Sequence, residues 1–149
     1  HHESLGKFWW EAFFSPDHLH DQPMPGALSF VQKIHRAGGW VYYLTARDIP
    51  TMGTGTARQL LDLGFPLLGG RATLHLKPNR AVGDAAFKED AMRAVARAGT
   101  VVATYENEPK NANLFAAAFP SARHFLLDTV CSENPPALLD QVQRIPDFL

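Results

Sequence analysis

Cysteine occurs once in this chain, at Cys131, which excludes an internal disulfide and any cysteine-rich metal site and leaves the fold to stand on packing. Such usage suits a reducing cytoplasm, where the protein is expected to work. A dominant charge is missing as well. Fourteen Lys and Arg against fifteen Asp and Glu leave a formal net charge of −1, so no broad field draws in a polyanion and nucleic acid is not an expected partner. No run approaches the roughly 20 uninterrupted apolar residues that span a bilayer, and the amino end has no basic-then-apolar export pattern. A soluble protein without a membrane partner is expected. The run Thr51-Met52-Gly53-Thr54-Gly55-Thr56 lacks the trailing Gly-Lys-Ser/Thr of a P-loop and the third glycine of a dinucleotide fingerprint, so it reads as a flexible helix entry. Neither a repeat nor a low-complexity tract is present.

What is present is a core. Of 149 residues, 46% are hydrophobic, enough for one globular unit. The chain opens His1-His2-Glu3 without an initiator methionine, and a processed, tagged or excised piece is expected. Residues 1–24 stand apart as an aromatic, cap-like segment, with Phe8, Trp9, Trp10, Phe13 and Phe14 crowded together, while residues 25–149 read as an α/β core. His18-Leu19-His20, flanked by Asp17 and Asp21, lies between Pro16 and Pro23 and has no recognised zinc spacing, so it reads as loop.

In the core, apolar periodicity alternates with β-branched and aromatic runs. Pro25 opens a helix with Ala27, Leu28, Val31, Ile34 and His35 on one face, and Gly38-Gly39 stops it before a buried strand over 40–45. A helix follows from Thr51 to Leu63, then a short strand over 72–76. Asp84 is placed to N-cap a helix that ends at Gly99. A third strand covers 101–105. Pro109 opens a helix expected to bury Leu114, Phe115 and Ala118, and Arg123 to Leu127 forms a fourth strand. Asn134 before Pro135-Pro136 suggests a last short helix through Val142. Strands separated by helices predict right-handed crossovers and a doubly wound, mainly parallel sheet: a Rossmann-like three-layer α/β sandwich.

Open parallel sheets bind ligands at the carboxyl ends of their strands, so the strand exits are where chemistry is sought. The first exit runs Leu44-Thr45-Ala46-Arg47-Asp48, offering a hydroxyl and a guanidinium. The second gives Leu76-Lys77-Pro78-Asn79, and Lys88 lies early in the next helix. The third gives Glu106-Asn107-Glu108, whose carboxylate and amide oxygens suit a hard cation such as magnesium. Each residue also has an ordinary role open to it: Thr45 as a helix cap, Glu106 to Glu108 as a solvated turn, Lys88 as an exposed helix position. Their joint placement at one sheet edge favours a site.

These residues resemble the haloacid dehalogenase superfamily, mostly magnesium-dependent phosphohydrolases on a Rossmann-like sheet, from about Pro25 to Asp128. The helix, hydrophobic strand and Leu-Thr-Ala-Arg look like that family's second motif, which implies that Thr45 holds a phosphoryl oxygen. Phe87-Lys88-Glu89-Asp90 looks like the third, whose lysine balances the charge of the phosphorylated intermediate. Lys77, in Leu-Lys-Pro, competes for that role; the spacing to the next strand favours Lys88. Tyr105 to Asn111 occupies the place of the fourth motif, implying Mg2+ ligands, with Glu106 and Asn107 standing where aspartates are usual.

The family's first motif, Asp-x-Asp after a hydrophobic strand, has no counterpart, since no two aspartates of the chain stand two apart. In the family the first of these attacks phosphorus and the second protonates the leaving group. Their strand is central, between the one ending at Thr45 and the one ending at Glu106, so its loss would leave two groups of strands without a shared neighbour. The resemblance therefore implies a core whose nucleophile lies upstream or on another polypeptide. If the flanking strands instead pair directly, the chain is a non-catalytic relic.

The function expected is Mg2+-dependent hydrolysis of a small phosphate monoester. Thr45 and Lys88 would be catalytic, Arg47 and Lys77 substrate-binding, and Glu106 and Asn107 metal-binding. The alternative is a catalytically inactive module of the same fold that binds phosphate or another protein.

Overall fold

The computed structural model describes residues 22–149. The aromatic cluster of Phe8 to Phe14 and the histidines between Pro16 and Pro23 lie outside the described residues. The chain divides into two compact units, His1–Ala91 and Met92–Leu149.

In the first unit, α1 (Ala27–Arg36) leads into β1 (Val41–Asp48), a π-helical turn (Ile49–Gly53), α2 (Thr54–Asp62) and β2 (Ala72–Lys77). The helix α3 (Asp84–Ala98) begins in this unit and crosses the boundary. Glycine closes α1 and α2 by the same device. Gly38 and Gly64 take left-handed φ values of 91° and 86°, and the residue after each returns its N–H to a carbonyl five residues back, Gly39 to Ile34 and Phe65 to Leu60. β1 and β2 pair in parallel from Val41↔Ala72 to Leu44↔His75, and the register then shifts to Asp48↔Lys77. Thr45, Ala46 and Arg47 thus stand against Leu76 alone, an irregularity that re-aims the end of the strand.

The first strand therefore runs three residues beyond the expected Thr45, so Thr45 and Arg47 lie inside it. It is also half-buried along its length rather than fully buried, and Trp40 before it is 57% exposed. Two strands make a narrow sheet, and β1 has a partner on only one side among the described residues. The expected helix from Thr51 is split between the π-helical turn and α2.

The second unit contains β3 (Ala103–Glu106), α4 (Pro109–Ala118), β4 (Arg123–Leu127) and β5 (Val142–Ile145) in one parallel sheet, ordered β3-β4-β5. Ala112 and Ala116 of α4 pack on Leu126 of β4 and Val142 of β5, forming its buried core. Phe115 is buried as expected, but Leu114 is only half-buried and Ala118 is exposed, and α4 turns Ala112 and Ala116 inward in their place. His124 is 1% exposed and satisfied at both ring nitrogens: Nδ1 meets Thr104 Oγ1 at 2.7 Å and Nε2 meets the carbonyl of Phe119 at 2.9 Å. It ties the sheet to the carboxyl end of α4.

The last helix expected after Asn134 does not form. Asn134 takes a left-handed φ of 52°, and Pro135-Pro136 lacks two amide donors. Asn113 holds this segment instead, donating to Ala137 O at 2.8 Å and accepting from Leu139 N at 2.9 Å. The chain then enters β5, parallel to β4 without a helical crossover. The described residues thus form a mixed α/β structure with two parallel sheets, β1 and β3 belonging to different ones.

Candidate functional site

Asp48 organises the strand exits of the first unit. It is the last residue of β1 and 1% exposed, so its carboxylate must be satisfied from within the protein. Thr51 supplies its N–H at 3.1 Å and its hydroxyl at 2.6 Å, and Arg80 Nε donates at 3.2 Å. Arg80 Nη2 also reaches Thr51 Oγ1 at 3.3 Å. Burial pushes the Asp48 carboxyl up, but the donors from Thr51 and the Arg80 guanidinium outweigh it and hold the acid below its ordinary value. Asp48 thereby N-caps the π-helical turn, with Pro50 in its first turn, and joins the exit of β1 to the loop after β2.

Beside it, Thr45 Oγ1 accepts the N–H of Arg47 at 3.3 Å, so its own proton remains for donation to an oxyanion. Lys77, the register partner of Asp48, ends β2 with its side chain 9% exposed, and Nζ lies 2.7 Å from Asp84 Oδ1. Asp84 opens α3 as its first residue, with this ion pair in place of the expected capping role. Lys88 follows it by four residues on the same helical face and is 7% exposed. Its neighbour Phe87 meets the ring of His75 edge-on at 5.5 Å, which holds α3 against β2. The first unit thus gathers Thr45, Arg47 and Lys77 at adjoining strand ends and carries Lys88 one to two turns into α3.

The second unit holds the other two candidates. Glu106 ends β3, and its Oε1 accepts the N–H groups of Asn107 at 3.0 Å and Glu108 at 3.2 Å. Asn107 Nδ2 donates to Val130 O at 3.3 Å. Glu108 receives Ser132 N at 3.0 Å and Ser132 Oγ at 2.7 Å. The loop after β4 is therefore laced to the exit of β3, and Glu106 and Asn107 are held side by side on an anchored turn.

Their oxygens are the hard donors that magnesium prefers, and magnesium commonly takes only one or two carboxylates, with water and phosphate filling its octahedron. Among the described residues no three His, Cys, Asp or Glu side chains gather in a group able to hold a metal. A cation at this turn would draw most of its coordination from water and a bound anion.

Sequence reasoning missed Asp48, Thr51, Arg80 and Ser132. The first two carried a signal, since Asp-Ile-Pro-Thr is an N-cap followed by a proline in the first turn. Arg80 and Ser132 had none, being brought to their partners across 32 and 24 residues. Among the described residues no helix is long and apolar enough to cross a membrane. Comparison with family models, with curated proteins and with solved structures finds no match.

Proposed function

We propose that this chain is the phosphate- and magnesium-binding part of a haloacid dehalogenase-like phosphohydrolase acting on a small phosphate monoester, built as a Rossmann-like three-layer sandwich. Each unit's own strand exits support their part of this reading: in the first unit a hydroxyl with cations at β1 and β2, in the second carboxylate with amide oxygens at β3. Thr45 and Arg47 would bind phosphoryl oxygens, a buried lysine would offset charge developing on them, and Glu106 with Asn107 would hold Mg2+. Magnesium held there would supply Lewis-acid polarisation of an oxygen. Of the two lysines, Lys77 stands at a strand exit while Lys88 lies inside α3, which favours Lys77 for direct contact and leaves Lys88 to be tested beside it.

The nucleophile would come from a strand that neither sheet contains. Parallel strands are ordinarily buried on both faces, whereas β1 is half-buried and has one partner strand among the described residues. Among the described residues β1 and β3 do not pair with each other, which supports a further strand over direct pairing of the flanking ones.

Calorimetric titration of inorganic phosphate in the presence of Mg2+ tests the reading. Binding should weaken at least tenfold in Thr45→Val, and a matching loss in Lys77→Met or Lys88→Met identifies the working lysine. Unchanged affinity in all three variants would refute the assignment. In a longer form carrying an Asp-x-Asp strand, Mg2+-dependent hydrolysis of p-nitrophenyl phosphate is expected; phosphate binding without hydrolysis would establish the inactive module.

A further inference from the structure

Two stretches that fold together carry no acid. Residues 22–47 and 63–83 contain neither Asp nor Glu, although acids and bases balance over the whole chain. They meet at the amino end of the β1–β2 sheet, opposite the strand exits described above. There Arg71 O accepts the N–H of Val41 at 2.9 Å, and His35 Nε2 donates to Gly70 O at 3.1 Å. A Cβ at Gly38 would stand 3.6 Å from Arg71 Nη1, so the guanidinium lies over the end of α1. The carboxyl end of α1, the start of β1 and the loop before β2 thus form one surface.

Three cations stand on it: Lys33 and Arg36, one helical turn apart on α1, and Arg71. All three are exposed, and none has a carboxylate partner among the described residues. Cations at a helix carboxyl end ordinarily answer the macrodipole, but that end amounts to about half a negative charge, less than these three carry. Arg71 also holds a left-handed φ of 57°, following Gly69 at 87° and Gly70 at 84°. A residue with a side chain rarely adopts that conformation, and such strain gathers at functional positions.

Apolar side chains are exposed among these cations. Ile34 is 40% exposed, Trp40 57%, and Leu68, beside Gly69-Gly70, 73%. Trp40 is held in place: its Nε1 donates to Thr73 Oγ1 at 3.0 Å and its ring stacks on Tyr42 at 6.3 Å. Exposed aliphatic and indole groups set among unpaired cations match an anionic bilayer surface, where apolar groups enter between the headgroups and cations meet the phosphates. A nucleic acid would use the cations and the indole but leave Leu68 and Ile34 in water, so lipid is the better fit.

We propose that the amino end of the β1–β2 sheet docks on a membrane bearing anionic phospholipids, with Lys33, Arg36 and Arg71 on the headgroups and Trp40 and Leu68 in the interface. Attachment of this kind needs no spanning helix and directs the carboxyl ends of β1 and β2 away from the bilayer. It does not depend on the phosphohydrolase reading.

The test is flotation of the whole chain with vesicles of phosphatidylcholine and phosphatidylserine, beside vesicles of phosphatidylcholine alone, with melting temperature recorded in parallel. Binding is expected only to the anionic vesicles and should fall as salt is raised. Lys33→Gln, Arg36→Gln and Arg71→Gln should each weaken it about fivefold. Leu68→Ser should weaken it as well, although it leaves the charge untouched. Arg58→Gln removes a cation from an exposed i,i+4 pair on α2 and should bind as wild type. Failure of the wild type to float with anionic vesicles would overturn the inference, as would binding that neither the three charge variants nor Leu68→Ser alters. Retention of single-stranded RNA by a chain that does not float would make this surface a nucleic-acid contact and also overturn it.

Discussion

The two units solve the same problem, holding charged groups at the ends of parallel strands, by different means. In the first, the charges neutralise one another through side chains: Asp48 with Arg80, and Lys77 with Asp84. In the second, the carboxylates of Glu106 and Glu108 are held by backbone N–H groups and by Ser132, and the sheet beneath packs an alanine-faced helix onto Leu126 and Val142. Carboxylates at the first unit's strand ends accept from side-chain cations, and those at the second accept from backbone N–H groups and a hydroxyl. On the proposed reading, the first would meet a phosphoryl group and the second a metal ion.

The contrast in packing gives the largest expected effect. Leu126 is 2% exposed at the centre of the second unit's core, and Leu126→Ala should cost about 3 kcal/mol in urea denaturation. Leu44 sits in the half-buried β1, and Leu44→Ala should cost about 1 kcal/mol. Equal losses would mean that β1 is covered in solution as thoroughly as β4, which would sharpen the case for another strand beside it.

Next comes the buried acid. Asp48→Asn removes a charged acceptor of three hydrogen bonds and should destabilise the protein by about 2 kcal/mol at neutral pH. Because the folded carboxyl is held below its ordinary value of 3.8, its contribution is full above that pH and is lost as the pH falls through the folded value. The variant should therefore show a flatter acid limb in a stability-against-pH series. Parallel acid limbs in both proteins would break the assignment of the first rim to Asp48.

The smallest effect tests the packing behind that rim. Thr56 Oγ1, in α2, is the buried side-chain polar atom without a hydrogen-bond partner among the described residues. Thr56→Val keeps the shape, removes the orphan hydroxyl and should raise stability by about 1 kcal/mol in thermal melts. A loss of similar size would show that the hydroxyl is satisfied in solution.

Much of the local structure was legible in the residues. Gly38 and Gly64 marked helix ends because only glycine readily takes the left-handed turn there, and Arg123 to Leu127 was read as a strand with the bounds it has. What escaped depended on distant partners. The segment after Asn134 carries helix-start signals, but Asn113 captures its backbone groups and β4 recruits its continuation as β5. Motif and spacing single out Thr45 and Arg47 as candidates, whereas the register shift that places them inside β1 is a property of the β1–β2 pair, which periodicity along one strand does not encode. Arg80 lay beyond reach for the same reason.

The most direct test is a backbone amide NMR titration, first with Mg2+ alone and then with inorganic phosphate added. The expected result is that Mg2+ shifts concentrate on Glu106 to Glu108 and phosphate shifts on Thr45 to Asp48 and Lys77 to Arg80. Perturbations centred instead on the opposite strand ends, around Trp40 and Ala72, or scattered without a focus, would contradict a phosphate and magnesium site at these exits.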